Sequence, residues 1–91
     1  MIHGETLFAD VFGNLVTNVN MFQLLTIHNG NLRVYVGNPV HQIRSVRTHG
    51  EAENGQCVAL IGSSGRLEIS VVGRDASKLF ASGTTFVEIR W

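Results

Sequence analysis

Glycine sets the limits on what this chain can fold into. Ten glycines in 91 residues cut it into short β-prone runs, and no stretch keeps a 3.6-residue apolar period over three turns. That excludes a helical bundle. It also excludes a membrane helix, which needs about 20 consecutive apolar residues. Short strands separated by turn signals read as a sandwich or barrel. With strands this short, closure removes the exposed edges best. The expectation is an all-β fold: a small antiparallel, Greek-key-like barrel of about six to eight short strands with one short helix.

The pattern assigns strands in order. Thr6 to Val11 and Leu15 to Val19 flank Phe12-Gly13-Asn14. Met21 to Leu25 reads as one helical turn or a connection. Asn29-Gly30 precedes the run Asn31 to Val36 and is a type I′ hairpin signal, because both central residues need φ > 0. Asn38-Pro39 ends that strand. Ile43 to Thr48 alternates like an edge strand, and Glu53-Asn54-Gly55 is a turn. Gln56 to Ile61 is almost all apolar, as in a central strand buried on both faces. Gly62 to Gly65 reverses the chain into Arg66 to Val72, with Leu67, Ile69 and Val71 on one face. Asp75 N-caps a short helix through Phe80, Ser82-Gly83 ends it, and Thr85 to Trp91 closes the fold. No repeat or linker divides the chain, so 1–91 reads as one domain.

Charge narrows the function. Seven Lys plus Arg balance seven Asp plus Glu, without the basic excess that tracking phosphates requires or that an electrostatic membrane anchor requires. Neither nucleic acid nor membrane is an expected partner. Charged residues are 15% of the chain, and a neutral, sparsely charged surface favours self-association, so an oligomer is expected. Cys57 has no partner cysteine, which suits a reducing, cytoplasmic setting and a packing role.

Few residues offer chemistry. His3, His28, His41 and His49 lack helical metal spacing and read as surface or turn histidines. Cys57 sits mid-strand, where a thiol is inert. Gly62-Ser63-Ser64-Gly65-Arg66 is either an ordinary hairpin loop or an anion cradle, in which backbone N–H groups form a nest and Arg66 adds a positive fork. The segment Asp10 to Asn18 reads as strand, yet it holds Asp, Gly and two Asn, all poor strand formers. A glycine there marks a bulge or a close approach. One reading gives the Asn14 amide an adenine edge to bond and Phe12 a base to stack on. The other is a bulged turn with Asn14 left-handed and Phe12 in the core.

Two segments taken together, Asp10-x-Phe12-Gly13-Asn14-Leu15-x-Thr17-Asn18 and Leu60-Ile61-Gly62-Ser63-Ser64-Gly65-Arg66-Leu67-Glu68-Ile69, resemble the C-terminal domain of the S-adenosyl-L-methionine hydroxide adenosyltransferases, relatives of the fluorinating and chlorinating enzymes. Gly55, the Asp75-Ala76 helix start with Leu79, and Gly83 fall in register. The resemblance implies a C-terminal β-barrel beside a larger N-terminal α/β domain, trimeric assembly, and a ligand held between one subunit's N-terminal domain and its neighbour's barrel. It implies S-adenosyl-L-methionine or adenosine as ligand and no cofactor. It places Asn14 on the adenine edge with Phe12 nearby, Asp10 at the methionine amino group, and Ser63 and Ser64 at its carboxylate. Arg66 matches the motif as a brace of the loop.

Departures shape the expectation. The N-terminal domain, with the catalytic half of the site, is not in these 91 residues. Val72-Gly73-Arg74-Asp75 replaces the family's Asn- and Gly-containing turn beside adenine. Ser64 stands where the halogenating relatives carry arginine, which disfavours halide chemistry. Two functions follow. One is an adenosyl-binding half-site, not catalytic alone, working as a homo-oligomer or with a separately encoded N-terminal domain. The other is a structural or assembly module that has kept the barrel and lost the ligand.

Overall fold

The structure, a computed structural model, describes residues 1–25, 32–37, 40–76 and 85–90. Seven strands close into a barrel: β1 (Ile2–Ala9), β2 (Leu15–Asn20), β3 (Arg33–Val36), β4 (His41–Ser45), β5 (Cys57–Ile61), β6 (Arg66–Val71) and β7 (Phe86–Arg90). The order round the barrel is β1-β2-β6-β5-β4-β3-β7. Every seam is antiparallel except β4–β5, which is parallel through Arg44↔Val58 and Ser45↔Ala59. The barrel is therefore mixed where an antiparallel one was expected. The edge-strand reading of Ile43 to Thr48 is also corrected, since β4 pairs with both β3 and β5. Parallel pairing needs a long crossover, and the loop from Val46 to Gln56 supplies it.

Alternation builds the core. Leu15 and Val19 of β2, Val34 and Val36 of β3, Ile43, Ala59, Leu67, Ile69, Val87 and Ile89 point inward and pack together. Thr17 also points inward and is fully buried. Its hydroxyl donates to the Leu67 carbonyl at 2.8 Å and accepts the Val19 N–H at 3.1 Å. That bridges the register shift between β2 and β6 without leaving a polar atom unpaired. The ambiguous Met21–Leu25 segment is a short helix, α1. Asn20 Oδ1 accepts the Gln23 N–H and Gln23 Oε1 accepts the Asn20 N–H, a reciprocal cap of the Asn-x-x-Gln kind. The Gly62–Gly65 hairpin forms as expected, closed by Gly62 N–H to the Arg66 carbonyl and Gly65 N–H to the Gly62 carbonyl. The Asn29-Gly30 and Asn38-Pro39 signals, Gly83 and all of the Asp75-to-Phe80 helix beyond Ala76 lie outside the described residues.

The outer face of β6 departs from simple alternation. Glu68 and Ser70 point away from the core, yet they are buried. Their neighbours across the seams, Val16, Leu60 and Val58, are buried as well. A second layer covers this face: the loop before β2, the Gly62–Gly65 turn, a 3-10 turn at His49–Glu51 and the segment after β6. That layer encloses the candidate site.

Candidate functional site

The loop between β1 and β2 is organised by Asp10. Its Oδ1 accepts the N–H groups of Phe12 at 2.9 Å and Asn14 at 3.0 Å, and its Oδ2 accepts from the Asn14 amide nitrogen at 3.2 Å. Backbone bonds from Asp10 N–H to the Asn14 carbonyl and from Gly13 N–H to the Asp10 carbonyl tighten the turn. This is an Asx-type turn, in which a short carboxylate stands in for ladder partners. Gly13 takes the left-handed conformation at φ +82°. The alternative of a left-handed Asn14 with Phe12 in the core is thus corrected on both counts: no residue other than glycine has positive φ among those described, and Phe12 is 77% exposed.

Asn14 faces β6. Its Oδ1 accepts the Ser70 hydroxyl at 2.8 Å, and Ser70 Oγ lies 3.1 Å from His49 Nε2. Strand register places Ser70 rigidly, opposite Val58 of β5. His49 is presented by its 3-10 turn, which Glu51 braces by accepting the N–H groups of Thr48 and Arg47. Those backbone bonds hold the Glu51 carboxyl below the usual range.

Beside this chain lies an open groove of about 590 Å³, within the range of small-molecule pockets. Phe12, Asn14, His49, Ser70 and the segment Val71 to Asp75 line it. The loop before β2 meets that segment where a Cβ on Gly13 would strike the Asp75 carboxylate and come within 2.9 Å of its Cα. The Val72-Gly73-Arg74-Asp75 departure therefore forms a wall of the groove. Gly73 turns it with φ +75°, and Arg74 N–H bonds the Val71 carbonyl.

The six residues singled out from the sequence fall in two places. Asp10, Phe12 and Asn14 share the first loop, and Phe12 and Asn14 line the groove. Ser63 and Ser64 sit exposed in the β5–β6 turn, with exposed Arg66 opening β6 opposite Asn20. At strand rise, Arg66 and Ser70 stand roughly 13 Å apart. Glu68 lies between them, 8% exposed, its carboxylate packed against Gly62, where a Cβ would collide with it. Burial pushes the Glu68 carboxyl up, helped by the Asp10 charge and opposed by His49.

Sequence reasoning missed Ser70, His49 and Glu68. A polar pair at alternate positions of β6 facing the poorly charged run of β5 was the available signal. His49 carried none, since its bond to Ser70 spans 21 residues. Cys57 is a partly buried free thiol whose pKa burial raises, in keeping with a packing role. Among the described residues no cluster of His, Cys, Asp or Glu could hold a metal, and no helix is long and apolar enough to cross a membrane.

Comparison with known proteins adds family to fold. The model of the SAM hydroxide adenosyltransferase C-terminal domain matches residues 4–85. An uncharacterized conserved protein from Thermotoga maritima superposes with a TM-score of 0.76 at 30% identity, over 98% of this chain and 35% of its own. A conserved hypothetical protein from Thermus thermophilus gives 0.73 at 31% identity, over 97% of this chain and 34% of its own. The chain thus spans about a third of the length of those structures. No curated protein matches it.

Proposed function

The chain belongs to the family of SAM hydroxide adenosyltransferase C-terminal domains, and on that premise we propose that its groove holds the adenosyl part of a ligand, S-adenosyl-L-methionine or adenosine, as one half of a shared site. The supporting observation is the Asn14 amide. It lines the groove with one lone pair on Oδ1 and one hydrogen on Nδ2 still unused after bonding Ser70 and Asp10. A fixed donor beside a fixed acceptor fits an adenine edge. The Phe12 ring beside it offers a stacking face.

The methionine end leaves the groove over the layer that covers Glu68 and meets Ser63 and Ser64, exposed in the β5–β6 turn, with Arg66 bracing that turn. Asp10 holds the loop and keeps acceptor capacity on Oδ2 for the amino group. The groove is open, and its rim carries Val11, 93% exposed, beside Phe12. A partner closes it: a second copy of the chain in a homo-oligomer such as a trimer, or a separately encoded N-terminal domain that brings the reacting half. The role of this chain is binding and not bond cleavage.

A thermal-shift titration with adenosine, S-adenosyl-L-methionine and unrelated nucleotides tests this. Ligand at about 100 times its dissociation constant stabilises by roughly 2.7 kcal/mol. For a domain of this size the melting temperature rises by about 10 °C or more. Asn14→Ala abolishes the shift and keeps the fold. No shift at millimolar ligand, or an equal shift in Asn14→Ala, sinks the reading.

The exposed apolar side chains of Leu7, Phe8, Val11 and Phe12 favour a second reading, an assembly module in which these residues serve only an interface. Light scattering that gives a strict monomer over a wide concentration range counts against self-association.

A further inference from the structure

We propose that the outward face of β4, β3 and β7 is a docking site for an acidic segment of another protein. Three arginines stand there in one row. Register sets Arg44 of β4 opposite Arg33 of β3, and Arg33 opposite Arg90 of β7. All three are exposed, while their strand neighbours Ile43, Val34 and Ile89 are buried in the core. The arginine side chains therefore all leave the barrel outward. Strands lie about 4.8 Å apart, so the three Cα atoms span a line roughly 10 Å long. The chain as a whole balances seven basic against seven acidic residues, yet three of the basic ones share this row. The strand β6 under the adenosyl groove lies three seams from β3 in either direction round the barrel. The row is thus on the far side, and its role does not depend on the adenosyl-binding reading.

The chain's own acids leave the row charged. Every Asp and Glu in the sequence falls within the described residues. Glu88 takes Arg90: its Oε2 accepts from Nε at 2.6 Å, and its Oε1 lies 2.9 Å from His3 Nε2. Glu51 feels the charge of Arg44, but its carboxylate bonds the backbone N–H groups of Arg47 and Thr48. Asp10, Glu68 and Asp75 belong to the layer over β6. Among the described residues Arg33, at the centre of the row, pairs with no carboxylate. Like charges directly opposite one another weaken a sheet, and a bound anion relieves that repulsion. Arginine forks suit carboxylates, which they bond two hydrogens at a time. Arg90 is already aimed. Glu88 holds its Nε and the Tyr35 ring lies 4.6 Å beneath its guanidinium, so its two terminal nitrogens remain for a ligand. A nucleic acid fits less well. The row is short, the next row carries the Glu88 charge, and Arg90 covers the Tyr35 face that a base would stack on.

The test titrates the full chain, at low salt, into fluorescently labelled octaglutamate, octaglutamine and a thymidine octanucleotide, reading anisotropy. Octaglutamate binds saturably and better than either of the others, and its affinity falls as salt rises. Arg33→Gln weakens it by about tenfold, the worth of a charge-assisted contact. The variant melts no lower than the parent, because it loses a like-charge pair and no internal bond; Arg44→Gln gives the same reading from the neighbouring strand. With octaglutamate bound, the amide resonances of Arg33, Tyr35, Arg44 and Arg90 shift and those of Asn14 and Ser70 stay. The proposal is overturned by octaglutamate that does not bind at millimolar chain, by octaglutamine that binds as well, or by shifts that centre on another face. Tighter binding of the oligonucleotide at these same residues overturns the acidic protein segment as the occupant. Unchanged affinity in both well-folded variants overturns the role of the row.

Discussion

Gly13 and Gly55 make a matched pair that isolates the contact between the loop before β2 and the segment after β6. Both have nearly the same backbone conformation, φ +82° and +83°. Their surroundings differ. A Cβ on Gly55 meets nothing within 4 Å, whereas one on Gly13 strikes the Asp75 carboxylate and lies 2.9 Å from the Asp75 Cα. A rotamer change can move the carboxylate but not the Cα. Gly55→Ala therefore costs only the left-handed strain, about 1–2 kcal/mol. Gly13→Ala costs the same strain plus an overpacking penalty of roughly 1–3 kcal/mol, or about 2–5 kcal/mol together. A domain of this size is stable by about 5–14 kcal/mol, so the second change removes a substantial share. Urea melts followed by circular dichroism read both, with midpoints falling and slopes unchanged. At about 4–8 °C per kcal/mol, Gly13→Ala melts well below Gly55→Ala. Equal losses in the two variants would refute the docking of the 10–14 loop on the 72–75 segment.

Glu68 and Cys57 carry further predictions. Burial raises the Glu68 pKa in the folded state, so the stability it contributes is full below the unfolded carboxylate value and is lost as pH rises through the folded one. Glu68→Gln removes that loss, and the stability of the variant relative to the parent rises between pH 4 and pH 7. A constant difference across that range would contradict the buried carboxylate. The raised thiol pKa and partial burial of Cys57 slow its reaction with a thiol reagent at pH 8 by about tenfold or more relative to the urea-unfolded chain. Equal rates would place the thiol at the surface.

The inner face of the barrel was legible in the sequence, and the outer layer was not. Leu67, Ile69 and Val71 announce one face of β6 by period-two spacing, and they do point inward. The near-continuous apolar run of β5 signalled burial on both faces, and Val58 and Leu60 are covered on the outside. The same logic failed for Glu68 and Ser70. Alternation assigns polar residues to solvent and cannot tell when loops distant in sequence form a second layer. The pairing of β4 with β5 was hidden for a related reason: this parallel seam depends on a crossover and not on any local pattern. Phe12 was misplaced in one reading because an aromatic beside a glycine suggests core, while the Asp10 turn throws it outward. Of the candidate site, the Asp10 loop could be read locally, because Asp, Gly and Asn are turn formers. The links to Ser70 and His49 required the fold.

The central claim is that adenosine binds in the groove between Asn14 and the segment after β6. The direct measurement is a titration of the isotope-labelled chain with adenosine, following backbone and side-chain amide resonances. The account predicts saturable shifts concentrated at Phe12, Asn14, His49, Ser70 and Gly73 to Asp75, with the outward face of β3 and β4 unmoved. Shifts that are absent at millimolar adenosine, or that centre on another face of the barrel, would contradict it.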